Sequence, residues 1–248
     1  MPDQPSARRP RHRTVDRVAE ILEAVASSRG GLTLTQLAVR LGAPVSSIQK
    51  LVNGLAAVGY LDEEERRFVL GPAPHVLSMR AGRLPVRTVG HDDLTGLAAV
   101  TGTPVLLAVR VGDHAVYVDR AGTDEAFEFA LSRTLRSPLP RTAAGLVLLA
   151  ELSERDRRTV VDATMADEPP EAAVEVLTSA KKSRDRGYAV MDSWHVLRGT
   201  GGVAVPVREG GRVVASLAAA GPAAEIVADG PRLAETLAGH AATWALRR

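Results

Sequence analysis

The chain contains no cysteine among its 248 residues. Disulfides, thiolate zinc sites and cysteine nucleophiles are therefore excluded, and the composition fits a reducing cytoplasm. Aromatic residues are scarce at 3%, so Val, Leu, Ile and Ala must build any core. No stretch approaches the ~20 uninterrupted apolar residues that cross a bilayer. The opening MPDQPSARRPRHR lacks the apolar segment of a secretory signal, so a cytoplasmic protein with no membrane partner is expected. Catalytic signatures are also missing. There is no G-x-S-x-G, phosphate loop, H-E-x-x-H or G-x-G-x-x-G, and the six histidines (12, 75, 91, 114, 195, 240) are scattered without metal-ligand spacing. The tract Arg198 to Gly202 resembles a pyrophosphate loop only faintly. Such a loop must open a helix to use its free N–H groups, and this one leads into VAVPV, a strand pattern. No enzyme activity, cofactor or metal is expected.

Hydrophobic residues make up 45% of the chain, enough for a sizeable core. The length suits a small module joined to a medium one. Net charge is only +2, but its location is informative. Residues 1–71 hold ten Lys/Arg against eight acids, whereas the remainder holds 21 of each. A positive excess confined to the first third is the weak footprint of a polyanionic partner.

Residues 1–13 read as a disordered basic tail. Helical spacing of Val15, Val18, Ile21, Leu22 and Val25 predicts a helix over 14–28, ended by Gly30-Gly31. Thr33 and Gln36 have capping-box spacing, opening a short helix to about Leu41. Gly42 turns the chain. Pro44, tolerated in a first helical turn, opens a third helix to about Val58 with Ile48, Leu51, Val52 and Leu55 inward. Tyr60-Leu61 and Phe68 to Leu70 flank a polar tip and predict a two-stranded wing, closed by Gly71-Pro72. Residues 72–90 form a connector with helical potential, interrupted by Gly82 and Pro85.

Residues 91–248 then alternate. Helices are expected at 92–100, 142–152, 154–163, 171–186 and 222–246, the last broken near Gly230-Pro231. Strands are expected at 105–111, 115–120, 127–131, 188–191, 202–207 and 212–219. Strand pairs with helices between them predict an α+β sheet covered by helices.

The strongest functional signal lies at 34–57, where two helices and a glycine turn have helix-turn-helix spacing. Outside its buried stripe the second helix carries Val45, Ser46, Ser47, Gln49, Lys50 and Asn53, with no acid. Gln and Asn can bond adenine bidentately, Ser can serve a base edge or phosphate, and Lys can reach guanine or phosphate. An acid-free face is what entry between phosphates requires. With Thr33, Thr35 and Pro44 from the preceding helix start and turn, and Arg66 and Arg67 from the wing, these residues form the expected contact set for a double-stranded DNA operator. The acids at 62–65 oppose deep insertion of the wing.

TVDRVAEILEAV, GLTLTQLAVRLGAPVSSIQKLVNGLAAVGYL and RFVLGP, followed by VYVDR (116–120), RTAAGLVLLA (141–150), RGYAVMD (186–192), GGVAVPV (201–207) and GRVVASLAAAGP (211–222), together resemble the isocitrate-lyase-regulator (IclR) family over about residues 14–246. The resemblance implies a winged helix-turn-helix joined by the connector to a GAF-like α+β domain at 91–248 for effector binding and assembly. It further implies dimers or tetramers on an inverted-repeat operator under a small-molecule effector; a repressor is expected, with activation open on the sequence alone. It gathers Leu131, Ala143, Ala144, Gly145, Asp192, Trp194, His195, Gly202, Ala218 and Ala220 around the effector. Gly202 stands where family members often carry cysteine, and Ala218 and Ala220 where they often carry serine. Asp192 is then the clearest polar group, and the small apolar surroundings suit a larger, more apolar ligand than glyoxylate or pyruvate. The same departures leave open a regulator or scaffold that has lost effector sensing.

Overall fold

A computed structural model describes residues 12–28, 30–82, 84–122, 136–194 and 197–247. The chain divides near residue 83 into two compact units.

The first unit contains α1 (Arg13–Ala26), α2 (Leu34–Arg40), α3 (Val45–Ala57), β1 (Leu61–Glu64), β2 (Arg67–Leu70) and α4 (Ala73–Ala81). Its core joins Ile21 and Val25 of α1, Leu37 of α2, and Ile48, Val52 and Leu55 of α3 to Leu61 and Phe68 of the wing. The helical stripes read from sequence supply most of this core, although Val15 is 63% exposed. Pro44 is the N-cap residue of α3, outside the helix, with φ −57° and ψ 136°. That extended conformation suits proline and lets the chain turn between the two helices. Leu32 bridges to Phe68, so the segment before α2 pairs with the wing. Gly71 is sterically required: a Cβ there would lie 2.3 Å from the Gly59 carbonyl oxygen. Within the connector only Ala73–Ala81 is helical, ended by Gly82 in the left-handed region. None of its residues is buried.

Among the described residues, the second unit holds a six-stranded antiparallel sheet with helices on both faces. Its strands are β3 (Val105–Val111), β4 (His114–Ala121), β5 (Arg136–Pro138), β6 (Ala189–Met191), β7 (Thr200–Glu209) and β8 (Arg212–Pro222), in the order β5-β4-β3-β8-β7-β6. The helices are α5 (His91–Thr101), α6 (Ala143–Ala150), α7 (Glu154–Thr164), α8 (Pro170–Arg186), α9 (Ala223–Ala228) and α10 (Gly230–Ala245). The short β5 was not read from sequence, and the strand expected at 127–131 lies outside the described residues.

Strand alternation sorts the two faces by size. Val203, Val205, Val207 and Leu217 pack with Leu94 and Leu97 of α5 and Leu237 and Trp244 of α10. The opposite face presents Ala108, Ala115, Ala204 and Ala218 to α6, which is buried along its whole length. Small residues on this face let α6 approach closely. Gly202 of β7 shows how closely, since a Cβ there would stand 3.5 Å from the Ala143 Cβ, whereas Gly145 makes room for the turn before α6: a Cβ there would stand 2.2 Å from the Leu139 carbonyl oxygen. The end of the connector joins the first face through Val86 and Val89. Glu209, at the end of β7, accepts hydrogen bonds from the backbone N–H groups of Arg87 (2.7 Å) and Thr88 (3.0 Å).

Candidate DNA-reading surface and ligand cavity

In the first unit, Thr33 caps α2. Its hydroxyl accepts from the Gln36 N–H at 3.3 Å, and the Gln36 side chain accepts from the Thr33 N–H at 2.9 Å. The capping box is therefore formed. It engages the Thr33 side chain and leaves Thr35 exposed beside it. Arg17 of α1 donates to the Leu41 carbonyl at 2.7 Å and ties α1 to the end of α2. The sequence reading missed this link, because it spans 24 positions.

With Ile48, Val52 and Leu55 turned inward, α3 presents Val45, Ser46, Ser47, Lys50 and Asn53 as exposed residues and Gln49 as half-buried. Gln49 Nε2 donates to Asn53 Oδ1 at 2.6 Å, along one face of the helix. At the wing tip, Glu65 and Arg66 both have positive φ, 48° and 63°. Two consecutive left-handed residues close a tight hairpin whose twist matches its strands. Arg66 is exposed there, whereas Arg67 donates to the Gly31 carbonyl at 3.3 Å and helps hold the wing.

The second unit contains a small, half-open pocket with a free volume of about 20 Å³, room for about one water molecule, between the small-residue face of the sheet and the start of α6. Of the residues named from sequence, Ala143, Ala144, Trp194, Gly202, Ala218 and Ala220 line it together. Gly145 does not; it is consumed by contact with Leu139. Asp192 is exposed and outside the lining. Leu131 and His195 lie outside the described residues.

The polar wall comes from residues that were not named. Tyr117, Thr142 and Ser193 line the cavity, with Leu106, Gly201 and Ala219. Thr142 had a readable signal, since a threonine directly before an apolar helix is a natural N-cap. It accepts from the Gly145 N–H at 2.8 Å. Tyr117 had none: its orientation depends on a bulge in β4, where pairing steps from Leu107–Asp119 to Ala108–Tyr117 and leaves Val118 unpaired. Burial pushes the Tyr117 phenol up to about 12, tempered by Thr142, Ser137 and Trp194 around its hydroxyl. The group is therefore a neutral donor throughout the physiological range. Trp194 meets the Tyr117 ring edge-on, with centroids 6.0 Å apart.

The main chain adds donors that a side-chain reading cannot count. The first N–H groups of a helix have no intrahelical acceptor. Thr142 satisfies Gly145 through its hydroxyl and Leu146 through its carbonyl, and among the described residues the N–H groups of Ala143 and Ala144, both of which line the cavity, have no hydrogen-bond acceptor. Their partial positive charge favours an acceptor or anion. No charged side chain is among the described residues lining the cavity.

The fold and these two sites define a helix-turn-helix DNA-binding protein with a separate α+β domain. The comparisons specify it further. Residues 14–65 match the IclR helix-turn-helix domain, and residues 79–244 match the C-terminal domain of the bacterial transcriptional regulator IclR. The chain belongs to the IclR family of DNA-binding transcriptional regulators. It is 30% identical over 227 residues to the HTH-type transcriptional regulator BhcR of Paracoccus denitrificans strain Pd 1222, covering 85% of this chain and 77% of that protein. It is 30% identical over 216 residues to the regulator XynR of Escherichia coli K12, covering 82% and 84%. These relatives are named as regulators, not enzymes. Among solved structures, an IclR-type regulator from Alicyclobacillus acidocaldarius superposes with TM-score 0.71 at 25% identity, over 95% of this chain and 98% of that one. An IclR homolog from Microbacterium hydrocarbonoxydans, complexed with 4-hydroxybenzoate, has the same fold, with TM-score 0.71 at 22% identity over 94% of this chain and 97% of that one. No helix among the described residues is long and apolar enough to cross a membrane.

Proposed function

We propose that this regulator represses transcription by binding an inverted-repeat operator as a dimer or tetramer. A small, partly apolar metabolite in the α6 cavity modulates that binding. The cavity carries the reading. It sets polar side chains (Tyr117, Thr142 and Ser193) and the start of α6 against apolar walls of Leu106, Ala218 and Ala220. The chemistry of this lining suits a ligand with a single acceptor or anionic head and an apolar body, which must widen the half-open pocket as it enters. The main-chain donors remove the reason for excluding carboxylates as a class. What is selected against is a small acid with no apolar body to fill the remaining space. The DNA half rests on the acid-free outward face of α3.

Screening metabolites for thermal stabilisation of the full chain tests the effector. A ligand at a hundred times its Kd stabilises by about 2.7 kcal/mol. Ligands with one carboxylate or carbonyl and an apolar ring or chain are expected to raise the Tm and shift operator affinity. Ala218→Trp, which fills the cavity, is expected to abolish both effects. Tyr117→Phe, which keeps the shape and removes the hydroxyl, is expected to weaken binding by about 0.5–1.5 kcal/mol. Undiminished ligand response in Ala218→Trp would place the effector elsewhere. No stabilisation by any metabolite would favour a regulator without an effector.

A further inference from the structure

We propose that Gln49 and Asn53 read DNA as one hydrogen-bonded unit, in which Gln49 contacts the base edge and Asn53 is a positioning residue that aims it. The inference rests on α3 being the helix that enters the groove.

The geometry assigns the roles. The two residues stand one turn apart, and Gln49 Nε2 donates to Asn53 Oδ1 at 2.6 Å. A primary amide has two N–H groups. Adenine recognition uses its oxygen and one N–H as a bidentate edge, so the other N–H is free to donate to Asn53 without spoiling that edge. Gln49 therefore keeps a complete reading edge within the pair. Asn53 already shares its Oδ1 with Gln49, so its own edge accepts from a base only through the second lone pair of that oxygen. Position agrees with this division. Recognition helices contact bases with their N-terminal residues, and Gln49 precedes Asn53 along Val45–Ala57. Asn53 stands a turn further back, where its side chain acts through its neighbour.

The bond also addresses an entropic problem. A glutamine amide on a flexible stem must be frozen in the plane of a base pair to read it. Restraining that amide before DNA arrives leaves less freedom to lose on binding. The neighbouring surface does not compete for the amide. Ser46, Ser47 and Lys50 are exposed beside it, and none of them is bonded to either member of the pair.

The test uses the full-length protein and a library of random duplexes, from which selection yields the preferred site. Affinities are then measured for that site and all its single base-pair variants, with the parent, Gln49→Ala, Asn53→Ala, the double variant and Asn53→Asp. Gln49→Ala is expected to flatten the preference at one base pair of each half-site by roughly tenfold or more. Asn53→Ala should flatten the same base pair, by about three- to tenfold. The double variant should be no less selective there than Gln49→Ala alone. Asn53→Asp is the decisive rescue. Its carboxylate still accepts from Gln49 Nε2 but has no N–H to offer DNA. It should restore the preference at that base pair while weakening all sequences alike through its added negative charge. Because the residues are on the surface of α3, thermal unfolding of each variant should match the parent. If Asn53→Ala flattens a different base pair from Gln49→Ala, or if Asn53→Asp is as unselective as Asn53→Ala, Asn53 reads on its own and the unit does not exist. If neither alanine variant changes preference anywhere while binding stays sequence-specific, the assignment of α3 as reader fails as well.

Discussion

Ser216 lies on the small-residue face of the sheet and Gly145 in the helix α6 packed on that face, and their substitutions should have opposite effects. The Ser216 hydroxyl is fully buried and has no hydrogen-bond partner among the described residues. Burying an unpaired hydroxyl is unfavourable by about 1–3 kcal/mol. Ser216→Ala should therefore leave the Tm unchanged or raise it by a few degrees. At Gly145, an added methyl would meet main chain at 2.2 Å, and main chain cannot swing aside. Gly145→Ala should destabilise by about 1–3 kcal/mol, the range for overpacking a close-packed core. Calorimetry on the two variants checks both signs. These residues also show what the sequence could reveal at this scale. Ala143, Gly202 and Ala218 were named from the family resemblance, and they line one cavity. Gly145 was named with them, yet its missing side chain accommodates a backbone crossing that only the folded chain reveals. Asp192 looked like the polar anchor because charge is conspicuous in a sequence. The polar side chains that line the cavity are instead Tyr117, Thr142 and Ser193.

At the scale of elements, most helices and hairpins were legible because their periodicity and glycine stops are local. Neither β5 nor the anchoring of the connector's end could be read, because each depends on partners far along the chain. The start of α5 illustrates a local signal completed by a distant one. Asp93 reaches back to accept from the Gly90 N–H at 2.9 Å, and it also receives Arg247 at 2.6 Å, from just beyond α10. Burial pushes the Asp93 carboxyl up, but Arg247, the Gly90 N–H and the more distant His240 together hold it below the usual aspartate range. A carboxyl depressed in the folded state stabilises above its unfolded value near 4, and that contribution is lost as pH falls through the folded value. Asp93→Asn should therefore lower the Tm at pH 7, with the gap to the parent closing as the pH falls toward 3. A gap that persists in acid would mean that packing, not the ion pair, is responsible. Glu209 predicts a second effect. Glu209→Ala removes the acceptor of two connector N–H groups. Amide exchange at Arg87 and Thr88 should accelerate at least tenfold if their protection is local, with little change in the strands of the sheet.

For the whole molecule, the informative surface is α4. It is nine residues long with no buried residue, and Val76, Leu77 and Met79 are 40%, 53% and 66% exposed. So short a helix is marginal in water unless something packs on it, which supports assembly through this segment. Leu77→Glu with Met79→Glu should shift sedimentation toward monomer. Operator affinity should then fall by orders of magnitude, because a single helix-turn-helix reads few base pairs. Variants that remain dimeric with full affinity would remove α4 from the interface. The same complex should lose affinity steeply between 50 and 200 mM salt, about 10³-fold or more if each dimer makes at least six phosphate contacts.

The sheet of the second unit also separates two chromophores. The chain has two tryptophans. Trp194 lines the cavity beside Tyr117. Trp244 is buried in the core of the opposite face, where its ring lies 5.6 Å from that of His240. Fluorescence from this protein therefore comes from two independent environments, only one of which a ligand can touch. With Trp244→Phe, all remaining indole emission reports on the cavity, so occupancy can be followed by light in the unmodified site while the protein is on or off its DNA.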